Sequence, residues 1–497
     1  MPASLQPYAC LLLYLMIGLP VAGAALIALR VPPRPVALMA GTALVFLAAG
    51  ACWGFDTARA GFQLTGSLRV LDDPQMALAV GVDGMSLVLV VLAAVVLLSA
   101  LWTIDPAHPK ARLLYAGSLL IGAGALGAFT STDMVFFYAF HELALIPTFL
   151  LIGMCGRGPE AKAAAWKITL YLGAASLVLL VGLLGVFLSF GESSFAFADL
   201  AQRAQADPLA QGSQARVALL LVVGFGALVS LVPFHSWAVP AYAAAPAPVA
   251  MLHAGVIKKF GLYGLLRLAI PLLPDGMRAL APWLLVLLLG NILYMGLVAV
   301  GQRRLDRMFG ASSVMHMGYI FLAVAVLATS PSHNALAYNG AVLLMFAHGV
   351  SIALLFALAD RIEERTGTLE IGALGGLGVL MPWLGFLFGL AAMASAGLPG
   401  LANFPGELMV FLGSFDSFDA ASGLQPQHWA TLGALWGVVL SAVFLLRAYR
   451  TAFMGDPWAD LRPAPLAADE KLPLLILATT LVLVGLFPNL ILQYLPA

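Results

Sequence analysis

The sequence predicts an all-α polytopic membrane protein of about 14 transmembrane helices, on three observations. Hydrophobic residues make up 62% of the 497 and charged residues 10%, with a mean hydropathy of +0.98. The apolar residues fall in repeated runs of about 20, the length a helix needs to cross a bilayer; barrel strands would be about ten residues long and alternating. Two of the runs are interrupted by proline and glycine, the pattern of helices broken at membrane depth.

Taken in order, spans one and two cover about 8–28 and 35–54. The first lacks the basic leader of a cleavable signal peptide and is expected to stay in the membrane. A connection over 55–80, holding Pro, Gly, Asp and Arg, leads to spans at about 81–103, 111–131, 133–154 and 163–190. After a second long connection, 191–215, span seven (about 216–239) carries Ser230-Leu-Val-Pro-Phe-His-Ser-Trp-Ala-Val-Pro240 and then Ala245-Pro-Ala-Pro248. Spans eight to eleven follow at about 246–273, 282–300, 310–330 and 336–360. Span twelve, about 378–419, is broken by Ser395-Ala-Gly-Leu-Pro-Gly400 and Asn403-Phe-Pro-Gly-Glu407. Span thirteen (428–452), a connection over 453–471 and span fourteen (472–494) close the chain. Broken helices five spans apart fit two inverted five-helix repeats. The chain then divides into 1–110 (helices 1–3), 111–275 (first repeat, helices 4–8), 276–452 (second repeat, helices 9–13) and 453–497 (loop and helix 14). No loop is large enough to fold as a soluble catalytic module.

The net charge is zero, so overall electrostatics give no reason to expect a nucleic-acid partner; the lipid bilayer is the partner that composition demands. Of the 24 Lys and Arg residues, 16, among them Arg157, Arg304, Arg361, Arg365 and Arg462, fall in loops after odd-numbered spans. Six, including Arg267, fall in loops after even-numbered ones. That bias puts the odd loops in the cytoplasm and both termini on the other side, as in a bacterial-type inner membrane. Cys10, Cys52 and Cys155 lack metal-ligand spacing and read as small hydrophobes. The sequence contains no Walker loop, dinucleotide fingerprint or CxxC pair, so no cofactor or metal is expected in this chain.

A few ionisable residues lie inside the apolar runs. A charge at mid-bilayer costs roughly 2.5–3.5 kcal/mol, so such residues usually face a protein interior and handle protons or ions. Glu142, about nine residues into its span, falls near the midplane; its sequence neighbours offer little to balance a charge except His141. Lys258 and Lys259 lie midway through span eight. Consecutive helical residues diverge, so one faces the interior while the other snorkels elsewhere, and Lys259 is taken as the interior one. His316 and His348, inside spans ten and eleven, can pass protons through either ring nitrogen. Glu407 follows the break in span twelve. His235 and His253 flank the break at span seven and are weaker candidates. Together these residues read as stations of a proton path; each also has a bland reading as a satisfied buried polar group.

Several stretches carry a resemblance: Val82-Asp-Gly-Met-Ser86, Phe140-His-Glu-Leu-Ala-Leu-Ile-Pro147, Val232-Pro-Phe-His-Ser-Trp237, Ala254-Gly-Val-Ile-Lys-Lys-Phe-Gly-Leu-Tyr-Gly-Leu-Leu-Arg267, Ser313-Val-Met-His-Met-Gly318, Ala347-His-Gly349 and Gly397-Leu-Pro-Gly-Leu-Ala-Asn-Phe-Pro-Gly-Glu407. With these the chain resembles the antiporter-like membrane subunits of respiratory complex I, the last stretch pointing to their M-subunit (chain 4) branch. The resemblance implies fourteen helices, two inverted repeats and a proton route along the membrane midplane. Glu142, Lys259 and Glu407 match the family's helix-5 glutamate, helix-8 lysine and helix-12 glutamate; His316 and His348 match polar positions that connect the two halves. It further implies partner subunits that hold the quinone site, flavin and iron–sulfur clusters, and sister antiporter-like subunits alongside.

The chain departs from the family at Leu228, where a lysine normally pairs with the helix-5 glutamate, and Ala238-Val-Pro-Ala-Tyr242 replaces the usual Leu-Pro-Asp-Ala-His. Glu142 thus lacks its usual cation, and His141 is expected to replace it in part. The first expectation for function is a proton-translocating, non-redox subunit of a complex I-type NADH/quinone oxidoreductase. Its rivals are a subunit of a multi-subunit cation/proton antiporter, and an ion-coupling or assembly subunit serving a hydrogenase or inorganic-carbon uptake complex.

Overall fold

A computed structural model describes residues 9–190, 194–330, 334–416, 418–421, 423–456, 461 and 463–496; Arg462, counted among the odd-loop cations, lies outside them. The chain is a multi-pass helical membrane protein. Its helices are α1 (Ala9–Ala28), α2 (Pro33–Gly54), α3 (Gly84–Thr103), α4 (Ala111–Thr130), α5 (Met134–Cys155), α6 (Ala161–Ser189), α7 (Phe197–Ala206), α8 (Gln211–Val229), α9 (Ala238–Ala244), α10 (Ala247–Leu272), α11 (Pro274–Gly301), α12 (Leu305–Thr329), α13 (Ala335–Thr366), α14 (Pro382–Ser395), α15 (Asn403–Ser414), α16 (Pro426–Phe453) and α17 (Ala468–Leu486). Among the described residues, 12 helices are long and apolar enough to cross a membrane. Two of the spans expected from sequence are not among these 12: at the twelfth the chain forms the split pair α14/α15, and at the fourteenth it forms α17, which begins with Asp469, Glu470 and Lys471 in its first turn.

Both expected breaks are present. α8 ends at Ser230, whose φ of 67° is left-handed, and the chain does not resume a helix until Ala238. The backbone freed there is satisfied inside the protein, as it must be at membrane depth. Asn291 accepts from the Val232 amide at 2.7 Å and donates to the carbonyls of Ser230 and Val314, each at 3.0 Å. The Trp237 indole donates to Ala227 O at 3.1 Å. The second break separates α14 from α15 over residues 396–402, with Gly397 and Gly400 at φ 76° and 91°.

Two connections read as loops are structured. Residues 55–80 contain an antiparallel hairpin, β1 (Gln63–Leu71) and β2 (Met76–Val82), with Leu68 opposite Leu78. Asp72-Asp73-Pro74 supplies the turn between two strand-like runs, a signal that a search for long apolar helices passes over. Residues 191–215 contain the surface helix α7.

α10 and α13 are enclosed on all sides, and α12 nearly so. This corrects the reading of α10: Lys258 and Lys259 are 1% and 0% exposed, so neither snorkels. A helix surrounded by protein has no lipid-facing side to which the second lysine could turn. Arg267, counted as a loop cation, also lies within α10. Several of the odd-loop cations are engaged in ion pairs that tie distant segments together. Arg157 binds Glu363 at 2.7 Å, Arg307 binds Glu160 at 2.9 Å, and Arg361 and Arg365 bind Glu470 at 2.9 and 2.7 Å.

α10 and α13 cross backbone to backbone. A Cβ on Gly255 would lie 2.9 Å from Gly349 O, and one on Gly349 would lie 2.6 Å from Gly255 O. Close approach of small residues is how helices pack without a hydrophobic driving force between them. Gly349→Val is expected to lower stability by about 1–3 kcal/mol through overpacking and to part α10 from α13. A thermal aggregation midpoint equal to that of the parent protein would contradict this.

Candidate functional site: a buried polar line from α10 to the break before α15

The Gly255/Gly349 crossing positions the centre of the site, because Lys259 lies one turn beyond Gly255 and His348 beside Gly349. The α10 backbone widens to a π turn over His253–Ile257. Such turns recur at functional sites. The Lys259 ammonium donates to Ala254 O at 2.7 Å within this turn, and it lies 2.9 Å from Nδ1 of His348. With the lysine as donor, Nδ1 accepts. His348 Nε2 is buried with no protein partner.

The His348 ring lies 5.7 Å from that of His316, which is 1% exposed on α12. His316 Nδ1 faces Ser312 O at 2.8 Å and Nε2 faces Ser395 O at 2.7 Å. Carbonyls only accept, so a neutral ring donates to one of them; Ser312 Oγ, 3.3 Å from Nδ1, offers a donor if that nitrogen is the unprotonated one. Ser395 is the last residue of α14, so His316 reaches the break in span twelve. Across that break, the space where a Gly397 side chain would stand is filled by the Glu407 carboxyl, and Glu407 is 4% exposed. Asn403, one turn before Glu407, is fully buried with both amide atoms unpartnered. The structure thus brings Lys259, His348, His316 and Glu407 into one buried line on four helices.

Glu142 stands apart. Its side chain is 30% exposed, on the same α5 stripe as outward-facing Ile146, Leu150 and Met154. Its carboxylate accepts a hydrogen bond from Ser176 on α6, whose hydroxyl oxygen lies 2.9 Å from that of Tyr138. Sequence reasoning missed Ser176 and Tyr138. Tyr138 was detectable one turn before Glu142; Ser176 lies on another helix and carried no signal. His141 Nδ1 is 3.5 Å from Glu142, and the ring stacks on Phe260 with centroids 3.9 Å apart. No hydrogen bond or ion pair joins Glu142 to Lys259 among the described residues. Leu228 is 4% exposed in the apolar core.

Lys258 donates to Ser313 Oγ at 3.2 Å and lies over the Tyr242 ring at 5.5 Å. Tyr242 in turn meets His253 Nδ1 at 3.1 Å, so the second lysine and the weaker histidine share one buried cluster. His235 is only partly buried, edge-on to Tyr294 at 5.6 Å, and outside both groups. No group of three or more His, Cys, Asp or Glu able to hold a metal occurs among the described residues.

Residues 131–420 match the family described as NADH:quinone oxidoreductase/Mrp antiporter, TM. The chain is 37% identical over 425 residues to an NAD(P)H-quinone oxidoreductase chain 4 of a Picosynechococcus species, covering 84% of this chain and 74% of that protein. It is 35% identical over 483 residues to a chain 4 protein of a Synechocystis species, covering 95% and 83%. Among solved structures it is similar to a chain of respiratory complex I from Thermus thermophilus, at 28% identity and a TM-score of 0.86, covering 97% of each chain. It shares its fold with a chain of the Mrp complex from a Dietzia species, at 20% identity and a TM-score of 0.83. With more than half of its length matching the family and identity above 30% to these relatives, the chain belongs to the NADH:quinone oxidoreductase/Mrp antiporter transmembrane family.

Proposed function

We propose that this chain is a proton-translocating membrane-arm subunit of a complex I-type NADH/quinone oxidoreductase. One observation supports this above the others: the buried run from Lys259 through His348 and His316 to the break beside Glu407. Lysine can shed and regain a proton, and histidine can take one at one nitrogen and release it at the other. Carboxyl groups exchange protons as well. In this reading Lys259 is the central carrier and the two histidines relay. Glu407 passes the proton to the exit or to a sister subunit, and Glu142, supported by His141, Ser176 and Tyr138, loads or gates. The segments 111–275 and 276–452 then act as inverted halves, each containing one broken helix.

Electron transfer takes place in partner subunits, which hold the quinone site, flavin and iron–sulfur clusters. This chain responds through electrostatics and conformation. The complex sits in the inner membrane, with the Arg-rich loops in the cytoplasm. Gentle detergent extraction of native membranes, with mass spectrometry of what co-migrates, tests the assignment. Quinone-reductase and iron–sulfur subunits in one large particle are expected. A particle of small membrane proteins alone, with sodium-dependent flux, would replace this function by cation/proton antiport.

A further inference from the structure

Two motifs of the sequence, Val82-Asp-Gly-Met-Ser86 and Arg267, take no part in the proposed route, yet the fold joins them. Asp83 caps the N-terminus of α3 by accepting from the Ser86 amide at 3.0 Å. Its other oxygen receives Arg267 Nη2 at 2.6 Å. The guanidinium also reaches Ser86 Oγ at 3.4 Å and, through Nε, Tyr263 Oη at 3.3 Å. The two hydroxyls lie 3.1 Å from each other. Ser86 and Tyr263 are fully buried, while the Asp83 and Arg267 side chains keep 19% and 15% exposure. The cluster therefore runs from a partly exposed end inward.

It runs toward Lys259. Lys259, Tyr263 and Arg267 follow one another at four-residue intervals along α10, on one helix face. The cluster lies at the end of α10 that the charge bias puts outside the cytoplasm. Between it and Lys259, Tyr263 packs against Phe129 and Phe137 at 5.6 and 5.7 Å, and Phe137 stacks on Phe260 at 4.3 Å. Carboxylate, serine hydroxyl and tyrosine hydroxyl in hydrogen-bond contact are the components of a proton wire. Such a wire, reaching to within a turn of a carrier lysine, would short-circuit a pump. The component that would prevent conduction is the guanidinium, which contacts one oxygen of each of the three groups and does not release its protons. A fixed arginine at a constriction is also an electrostatic barrier to protons and cations.

We propose that Arg267 is an insulating residue: clamped across Asp83, Ser86 and Tyr263, it closes the outward end of the α10 face that carries Lys259. The inference rests on the proton-translocation reading above, and its test reads passive leak rather than pumping. Inverted membrane vesicles containing the assembled complex are given an acid–base pulse, and decay of the gradient is followed without substrate. Arg267→Gln is expected to speed decay several-fold while electron transfer from nicotinamide to quinone continues. Arg267→Lys, which keeps a cation opposite Asp83 but offers an ammonium able to shed its proton, is expected to leak as well. Adding Tyr263→Phe to Arg267→Gln removes the inner hydroxyl and is expected to restore the parent decay rate.

Assembled Arg267→Gln and Arg267→Lys complexes that hold the gradient like the parent would overturn the proposal. So would loss of pumping in Tyr263→Phe alone, which would make the cluster a conducting exit. Failure of both arginine variants to assemble would make the pair a structural staple, and overturns it too. A parent complex that builds no gradient with substrate would instead sink the translocation reading, leaving the leak comparison intact.

Discussion

Lys259→Ala in the assembled complex is expected to slow coupled proton transfer by at least about tenfold, equivalent to roughly 1.4 kcal/mol or more on the barrier. The ammonium is the group that joins the Ala254 carbonyl to His348 Nδ1. Its removal breaks the line at the centre and leaves buried polar atoms unpartnered, at about 1–3 kcal/mol each. A loss of stability alone could mimic a loss of function, so Lys259→Arg is the informative companion. It keeps a cation and donors in the same place but cannot release a proton. Both variants are expected to assemble, to oxidise NADH and to build little or no proton gradient in inverted vesicles, read by a pH-sensitive dye. A gradient equal to the parent's in Lys259→Arg would show that this residue does not carry the proton.

Glu407→Gln is expected to have a comparable effect on proton transfer with almost none on folding, since glutamine has nearly the same shape and merely cannot ionise. Gly397→Ala separates geometry from chemistry at the same place. Gly397 has φ 76°, a conformation that costs an L-residue about 1–2 kcal/mol, and the space its Cβ would take is filled by the Glu407 carboxyl. The alanine variant is therefore expected to lose both stability and proton transfer, whereas Glu407→Gln loses only the second. Thermal midpoints and gradient formation measured side by side distinguish them. If Glu407→Gln retains coupled transfer, Glu407 is a structural carboxyl satisfying the break.

The buried polar line was legible where a polar residue interrupts an apolar run, because composition makes such a residue conspicuous on its own. Lys259, His316, His348 and Glu407 were found that way, and proline and glycine marked both broken helices. What supports them was less legible. Asn291 is a lone amide in an apolar run, and its task of satisfying the backbone at Ser230 and Val232 depends on which helix packs against the break. The fate of Lys258 was misread because helical spacing describes directions around one axis and does not say whether protein or lipid lies in each. Arg267 looked like a loop cation because a buried arginine becomes tolerable only when Asp83, far away in sequence, is brought to it.

By itself the sequence determined that the chain crosses the membrane many times, where two of its helices break and which polar residues interrupt its apolar runs. These follow from local physics: the bilayer's thickness, the missing proline donor and the cost of an embedded charge. Only the tertiary structure decided that Gly255 meets Gly349 and so brings Lys259 to His348, that His316 bridges to the end of α14, and that Glu142 opens to a lateral face. Those are contacts between helices, and they depend on the shapes of surfaces far apart in the chain, to which no local pattern gives access.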